Sequence, residues 1–256
     1  MDRPLLTLAR DLKRRKSRER RTLFVAEGVR AAQDITASAL ALRGVLATAA
    51  FAETPRGAAI VQALDARGAR TEFVTEAELA SAADTDQPQG ILVIAEIPSA
   101  TFAALGAAMG PSARILLLDG VQDPGNTGAL VRTAAALGAA GVVALPGTAD
   151  LWNAKAVRGA AGALYRLPAI QAGLDETLDF LRTHAVSLWG TAADGEPIAS
   201  AHAPERLAIA VGNEGAGLSA AVRAAADRIV ALPMASRVES LNVVVAAGIV
   251  LYALTR

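Results

Sequence analysis

Short apolar runs alternate with amphipathic stretches along this chain. In the first part the runs predict strands over 23–26, 44–48, 71–74 and 91–96. The intervening spacing predicts helices over 28–40, 58–67 and 76–83, giving a small α/β layer of the βαβ type. Pro98, Gly106, Gly110 and Pro111 then interrupt the pattern. We place a domain boundary there, with a first domain over 1–98, a linker over 99–112 and a second domain over 113–256. The alternation resumes with strands predicted over 115–119, 141–145, 186–191, 207–211 and 229–232. Helices are predicted over 126–137, 153–159, 174–183, 219–225 and 241–254. Near-continuous apolar runs, Ile-Leu-Leu-Leu from Ile115 and Leu-Ala-Ile-Ala-Val from Leu207, suit a parallel sheet covered on both faces.

Leu5, Leu8 and Leu12 stand at helical spacing and lead into a basic run over 10–21 whose only acids are Asp11 and Glu19. The run reads as an amphipathic helix, and Arg14, Arg15, Arg18 and Arg20 are its candidates for phosphate contact. A purely solvated face is the rival reading. The chain as a whole carries 25 basic and 25 acidic residues. That neutrality does not decide the matter, because local patches set a binding field.

There is no cysteine, which excludes disulfides, thiolate nucleophiles and zinc–thiolate sites. Only His184 and His202 could supply imidazole, so a multi-histidine metal site is excluded and no metal is expected. The first residues lack the apolar core of a signal peptide. The most apolar stretch, 241–254, is shorter than the ~20 residues that span a bilayer. A soluble, cytoplasmic protein with no membrane partner is the expectation.

In open parallel sheets ligands bind beyond the carboxyl ends of strands, and three such loops carry unusual residues. The first, 119–128, holds Asp123, Pro124 and Gly125, which demand a tight turn. Asn126 or Thr127 can cap the helix that follows, and Arg132 lies inside that otherwise apolar helix. The second, Gly212-Asn-Glu-Gly-Ala-Gly, lets backbone amides approach a ligand, with Glu214 among the glycines. Its spacing differs from the dinucleotide fingerprint, which argues against a nicotinamide enzyme. In the third, 232–242, Ser240 can cap the last helix and Asn242 sits in its first turn. Taken singly, each residue is accounted for by helix capping or solvent exposure.

Taken together and in order, the segments DPGNTGALVRTAAALGA, AVGNEGAGL and LPMASRVESLNVVVAA resemble the three motifs of the SpoU (TrmH) family, within the SPOUT class of methyltransferases. The resemblance covers about 115–256. RRTLFVAEGVRAAQDI and QPQGILVIAE also resemble that family's substrate-binding domain. The resemblance implies a ribosomal-protein-like α/β RNA-binding domain followed by a trefoil-knotted α/β methyltransferase domain with a parallel sheet. It further implies a homodimer formed through the C-terminal domain.

The implied reaction is transfer of a methyl group from S-adenosylmethionine to a ribose 2′-hydroxyl of RNA. Ribosomal RNA of the large subunit is favoured over transfer RNA, and an inactive RNA-binding relative is the remaining alternative. Thr191, Gly212, Leu232 and Leu241 would lie along the cofactor. Arg132 would act at the hydroxyl, either as base or as a phosphate clamp that lowers the hydroxyl's pKa, since a guanidinium ordinarily stays protonated. Asn126 would orient Arg132 or the ribose, and Glu214 would pair with Arg132 or hold the target nucleotide. Ser240 and Asn242 would line the site. Two positions depart from the family pattern: Ser236 stands where glycine is frequent, and Ala160, near Arg158, where serine is frequent.

Overall fold

A computed structural model describes residues 3–234 and 241–254. Two compact units divide the chain: Met1–Ser99 with Trp152–Arg166, and Ala100–Leu151 with Leu167–Arg256.

The first unit opens with α1 (Pro4–Asp11) and α2 (Arg15–Arg21), where a single helix was expected over the basic run. Arg18 is buried and donates from its guanidinium to the Leu12 and Lys13 carbonyls, at 2.8 and 2.9 Å, in the break between them. Then follow β1 (Leu23–Glu27), α3 (Val29–Thr36), β2 (Leu42–Ala47), α4 (Ala49–Ala52) and α5 (Pro55–Ala66). β3 (Thr71–Phe73), α6 (Glu76–Ala82) and β4 (Ile91–Glu96) complete the run. Local chemistry starts the helices. Thr54 caps α5 ahead of Pro55, and Thr75 and Glu78 form a reciprocal capping box on α6.

The sheet order is β1-β4-β2-β3. Only β2–α5–β3 forms a parallel crossover; β4 runs antiparallel between β1 and β2. The expected βαβ layer is therefore a mixed sheet. The last strand of this run inserts centrally because its residues 91–95 are apolar and buried throughout, whereas a peripheral strand such as β3 is only partly covered.

Helix α9 (Ala154–Ala160) belongs to this unit, although its position in sequence puts it among the elements of the second. The Trp152 and Tyr165 rings pack on the buried Phe24 ring, with centroids at 4.7 and 5.8 Å. Arg158 pairs with Glu27 and Asp84.

The second unit begins with α7 (Phe102–Ala108), inside the stretch read as a linker. Its Leu105 is fully buried, and Phe102 stacks on Phe180 at 4.8 Å. Six parallel strands follow: β5 (Ala113–Asp119), β6 (Gly141–Ala144), β7 (Ala169–Gln171), β8 (Ser187–Pro197), β9 (Arg206–Gly212) and β10 (Arg228–Ala231). Their order is β10-β8-β9-β5-β6-β7, which sets β5 and β9 at the centre. Both are buried through their apolar runs, as a sheet covered on both faces requires. The helices are α8 (Pro124–Ala136), α10 (Leu174–Thr183), α11 (Ala220–Ala225) and α12 (Val243–Leu254).

α12 packs along α8, and a Cβ placed on Gly248 would touch the Thr133 methyl at 3.5 Å. Buried Arg114 secures the far end of α12 by donating to the Leu254 carbonyl at 2.8 Å, and to Glu205 and Ala113 carbonyls at 2.7 and 3.0 Å. No described helix is long and apolar enough to cross a membrane.

Candidate active site

β5 and β9 lie side by side, with Asp119 opposite Gly212, so the first and second of the three loops leave the sheet together. Chain direction diverges here, since β6 and β7 build outward from β5 while β8 and β10 lie beyond β9. This is the switch point at which ligands bind in open parallel sheets.

The first loop turns into α8 through Asp123, which caps the helix by accepting from the Asn126 amide N–H at 2.8 Å, with Pro124 at the first helical position. Capping was expected from Asn126 or Thr127. With Asp123 in that role, the Asn126 side chain is released, and its Nδ2 donates to Glu214 Oε1 at 2.9 Å. The Gln122 N–H donates to Glu214 Oε2 at 3.3 Å. Burial alone would push the Glu214 carboxyl up, but hydrogen bonds from Asn126 and from the Glu214, Gln122 and Asp123 amides hold it below the usual carboxylate range.

Asn242 completes the group. Its Oδ1 accepts from Val244 N–H at 2.9 Å, so it is itself the cap of α12 rather than a first-turn residue. Its Nδ2 donates to Asn126 Oδ1 at 3.4 Å. Asn126, Glu214 and Asn242, from three loops, thus form one hydrogen-bonded chain. Ser240, the cap expected for α12, and Ser236 lie outside the described residues.

Arg132 does not join this chain. It is exposed on α8 and makes no hydrogen bond or ion pair among the described residues. The expected pairing of Glu214 with Arg132 is replaced by the Glu214–Asn126 bond, because Arg132 lies six residues, about 9 Å of helix rise, beyond Asn126.

Beside the chain is a cavity of about 370 Å3. Thr191, Gly212, Leu232 and Leu241, the four candidate cofactor residues, all line it. Its size is that of a small-molecule site. Its walls are apolar side chains and loop backbone, and Glu214 is the one charged side chain among the described lining residues. Such a lining fits S-adenosylmethionine held by backbone groups, and no described cluster could hold a metal ion.

Gly212 admits no side chain, since a Cβ would fall 2.2 Å from the Gly217 carbonyl carbon. The residue that shapes this loop escaped the sequence reading. Asn213 pairs through its backbone with Gly217, accepts the Gly215 and Ala216 N–H groups on its Oδ1, and donates from Nδ2 to the Gly120 carbonyl, each at 2.9 Å. Asp119 adds a second tie by accepting from the Ser219 N–H at 2.6 Å. The signal for Asn213 was its place directly after Gly212 in a glycine-rich turn, where an Asn side chain can bond nearby backbone.

A central parallel sheet whose strand-end loops lie beside a cofactor-sized cavity is the arrangement of an α/β enzyme. The chain belongs to the SpoU rRNA Methylase family, which it matches over residues 113–252, and residues 5–93 match the MRM3-like substrate binding domain. It is 36% identical over 186 residues to the 23S rRNA (guanosine(2553)-2′-O)-methyltransferase RlmP of Bacillus subtilis, covering 72% of each chain. It is 35% identical to a 23S rRNA (adenosine(1067)-2′-O)-methyltransferase of Streptomyces laurentii, covering 75% of this chain and 72% of that one. Among solved structures, the SpoU methyltransferase AviRb of Streptomyces viridochromogenes, in complex with AdoMet, superposes with a TM-score of 0.89 at 26% identity, covering 100% of this chain and 98% of that one.

Proposed function

We propose that this protein methylates a ribose 2′-hydroxyl of large-subunit ribosomal RNA in the cytoplasm, using S-adenosylmethionine bound in the cavity beside Gly212 and Leu241. The observation that carries the reading is that three motif loops meet in the Asn242–Asn126–Glu214 chain, whose Glu214 also lines the cavity formed by the second and third loops. The two relatives named for 23S rRNA 2′-O-methylation and the AdoMet-bound AviRb support the substrate and cofactor.

When bound, the cofactor supplies an electrophilic sulfonium methyl group. The chain's own task is position and charge. Thr191, Leu232 and Leu241 form the cavity wall, and Gly212 brings backbone close. Glu214 holds Asn126, whose amide then faces Asn242 with its oxygen; this network serves to orient the ribose. Ser240 is proposed to line the same site. A Glu214 carboxylate engaged by several donors is a weak proton acceptor, so it acts as a positioning residue. Arg132 is proposed to meet the RNA at the target nucleotide, where an unpaired guanidinium can clamp phosphate.

A homodimer through the second unit accompanies this reading. α12 exposes Val245, Ile249 and Tyr252, spaced along one helical face and each about half exposed. α12 packs on α8, which carries Arg132, so a partner on this face would close the site around it. In the first unit, Arg14, Arg15 and Arg20 are exposed and are proposed to contact RNA phosphate. Arg18 is withdrawn from that group by its burial. The test is a map of 2′-O-methyl sites in total RNA from cells with and without the protein. One site lost from large-subunit RNA and restored by the purified protein with S-adenosylmethionine is expected; an unchanged map overturns the proposal.

A further inference from the structure

A second cavity, of about 290 Å3, lies wholly within the first unit, between the start of α3, the segment 85–89 and α9. Its frame consists of groups that already have partners. Buried Glu27 accepts from the Asp84 N–H at 2.8 Å, the Thr85 N–H at 3.3 Å and the Thr85 hydroxyl. Arg158 is held by Glu27 at 3.5 Å and Asp84 at 2.8 Å. Gln89 Oε1 accepts from the Val29 N–H at 3.0 Å, beside Gly28, whose φ of +96° lets β1 turn into α3 there.

Three other lining side chains are not committed. Asp34, Arg30 and Gln87 make no hydrogen bond or ion pair among the described residues. Gly162 flanks the Asp34 carboxylate so closely that a Cβ there would fall 2.9 Å from Oδ2. That absence of a side chain leaves room for the carboxylate in the cavity wall. Ala31, Val157 and Ala161 add apolar wall.

An open carboxylate, a guanidinium at the rim and apolar walls in this volume fit one unpaired nucleotide. Single-stranded RNA is read by splaying bases out and bonding their Watson–Crick edges. A carboxylate only accepts, so it selects an edge rich in donors. Guanine offers two adjacent donors, N1–H and the N2 amino group; the other bases offer one donor group each. A guanidinium suits the attached phosphate.

We propose that this cavity holds one unpaired guanine nucleotide of the substrate RNA, with Asp34 accepting from the base edge and Arg30 on the phosphate. The proposal rests on the reading of the protein as an RNA methyltransferase. The test titrates the full chain with guanosine and adenosine 5′-monophosphate and with single-stranded RNA pentamers carrying one G or one A. The guanine ligands should bind more tightly and compete with each other. Asp34→Asn should weaken them about tenfold and abolish the preference over adenine, with S-adenosylmethionine affinity unchanged. Arg30→Ala, at an exposed position, should weaken all four ligands while keeping the base preference, and it serves as the check if Asp34→Asn does not fold.

Equal binding of guanine and adenine ligands, or a preference untouched by both substitutions, overturns the inference. Where the same preparation still methylates RNA, the methyltransferase reading survives that failure. Guanosine monophosphate binding through Asp34 without pentamer binding would assign the cavity to a free nucleotide and overturn its role toward RNA.

Discussion

The Asn126 side chain donates to Glu214 across 2.9 Å, joining positions 88 residues apart. The carboxylate only accepts, so Nδ2 must face it and Oδ1 must face Asn242. The orientation of the central amide in the site is therefore set by its two neighbours. The bond also ties the α8 turn to the loop that lines the cavity.

Disrupting either end of that bond should have the same consequence. Asn126→Ala and Glu214→Gln should each slow single-turnover methylation, and the double variant should be little worse than either single one. Additive losses would show that the two residues act separately. The pH dependence follows from the lowered carboxyl pKa. The Glu214 contribution is fully present above the unbonded value of 4.5 and is lost as pH falls through the lower folded value. The stability difference between wild type and Glu214→Gln should stay constant from pH 8 to 5 and shrink only below that, as read by thermal melts.

Arg132→Ala should leave stability within about 0.5 kcal/mol, because the side chain is exposed and has no partner among the described residues. Methylation should fall about 100- to 10,000-fold with cofactor affinity intact, if the residue acts at the hydroxyl. Lysine should keep part of the activity if the residue clamps phosphate, and fail like alanine if the planar fork is needed. Normal single-turnover rates for the alanine variant would remove Arg132 from the site.

Arg114→Leu should destabilise the protein by about 2–3 kcal/mol, because three carbonyls lose a buried donor. One of them ends α12, so amide exchange should accelerate first in that helix. An unchanged urea midpoint would show that α12 is held by apolar packing alone.

Tyr165→Phe should raise stability by about 1 kcal/mol. The Tyr165 hydroxyl is buried and has no hydrogen-bond partner among the described residues. Burial first, and then the Asp34 charge, push its pKa up. Removing the hydroxyl keeps the ring packing on Phe24. A rise in melting temperature is expected; a fall would reveal a partner for the hydroxyl.

The strands and most helices were legible because their signals are local. Apolar runs mark β5 and β9, and Ser, Thr, Asp and Pro mark helix starts within a few residues. β7 escaped because its apolar part is only Ala169 and Ile170, set between Pro168 and Gly173. The three motif loops were legible only together and in order, through the family resemblance, and it was that resemblance which pointed to Thr191, Gly212, Leu232 and Leu241.

By itself, then, the sequence determined the alternating α/β order, the three motif loops and the family to which they belong. Tertiary structure alone decided which polar groups meet. Asp123 took the cap that could have been Asn126's, and so freed Asn126 for Glu214. Arg18, one cation among many in the basic run, turned inward to the carbonyls of a helix break while the other cations of the run stayed exposed. Trp152–Arg166 left the unit its position suggests because Phe24 offered its aromatic residues a buried face. Each of these choices is a competition among partners, and long-range packing settles it, sometimes across nearly 90 residues; no local spacing encodes the outcome.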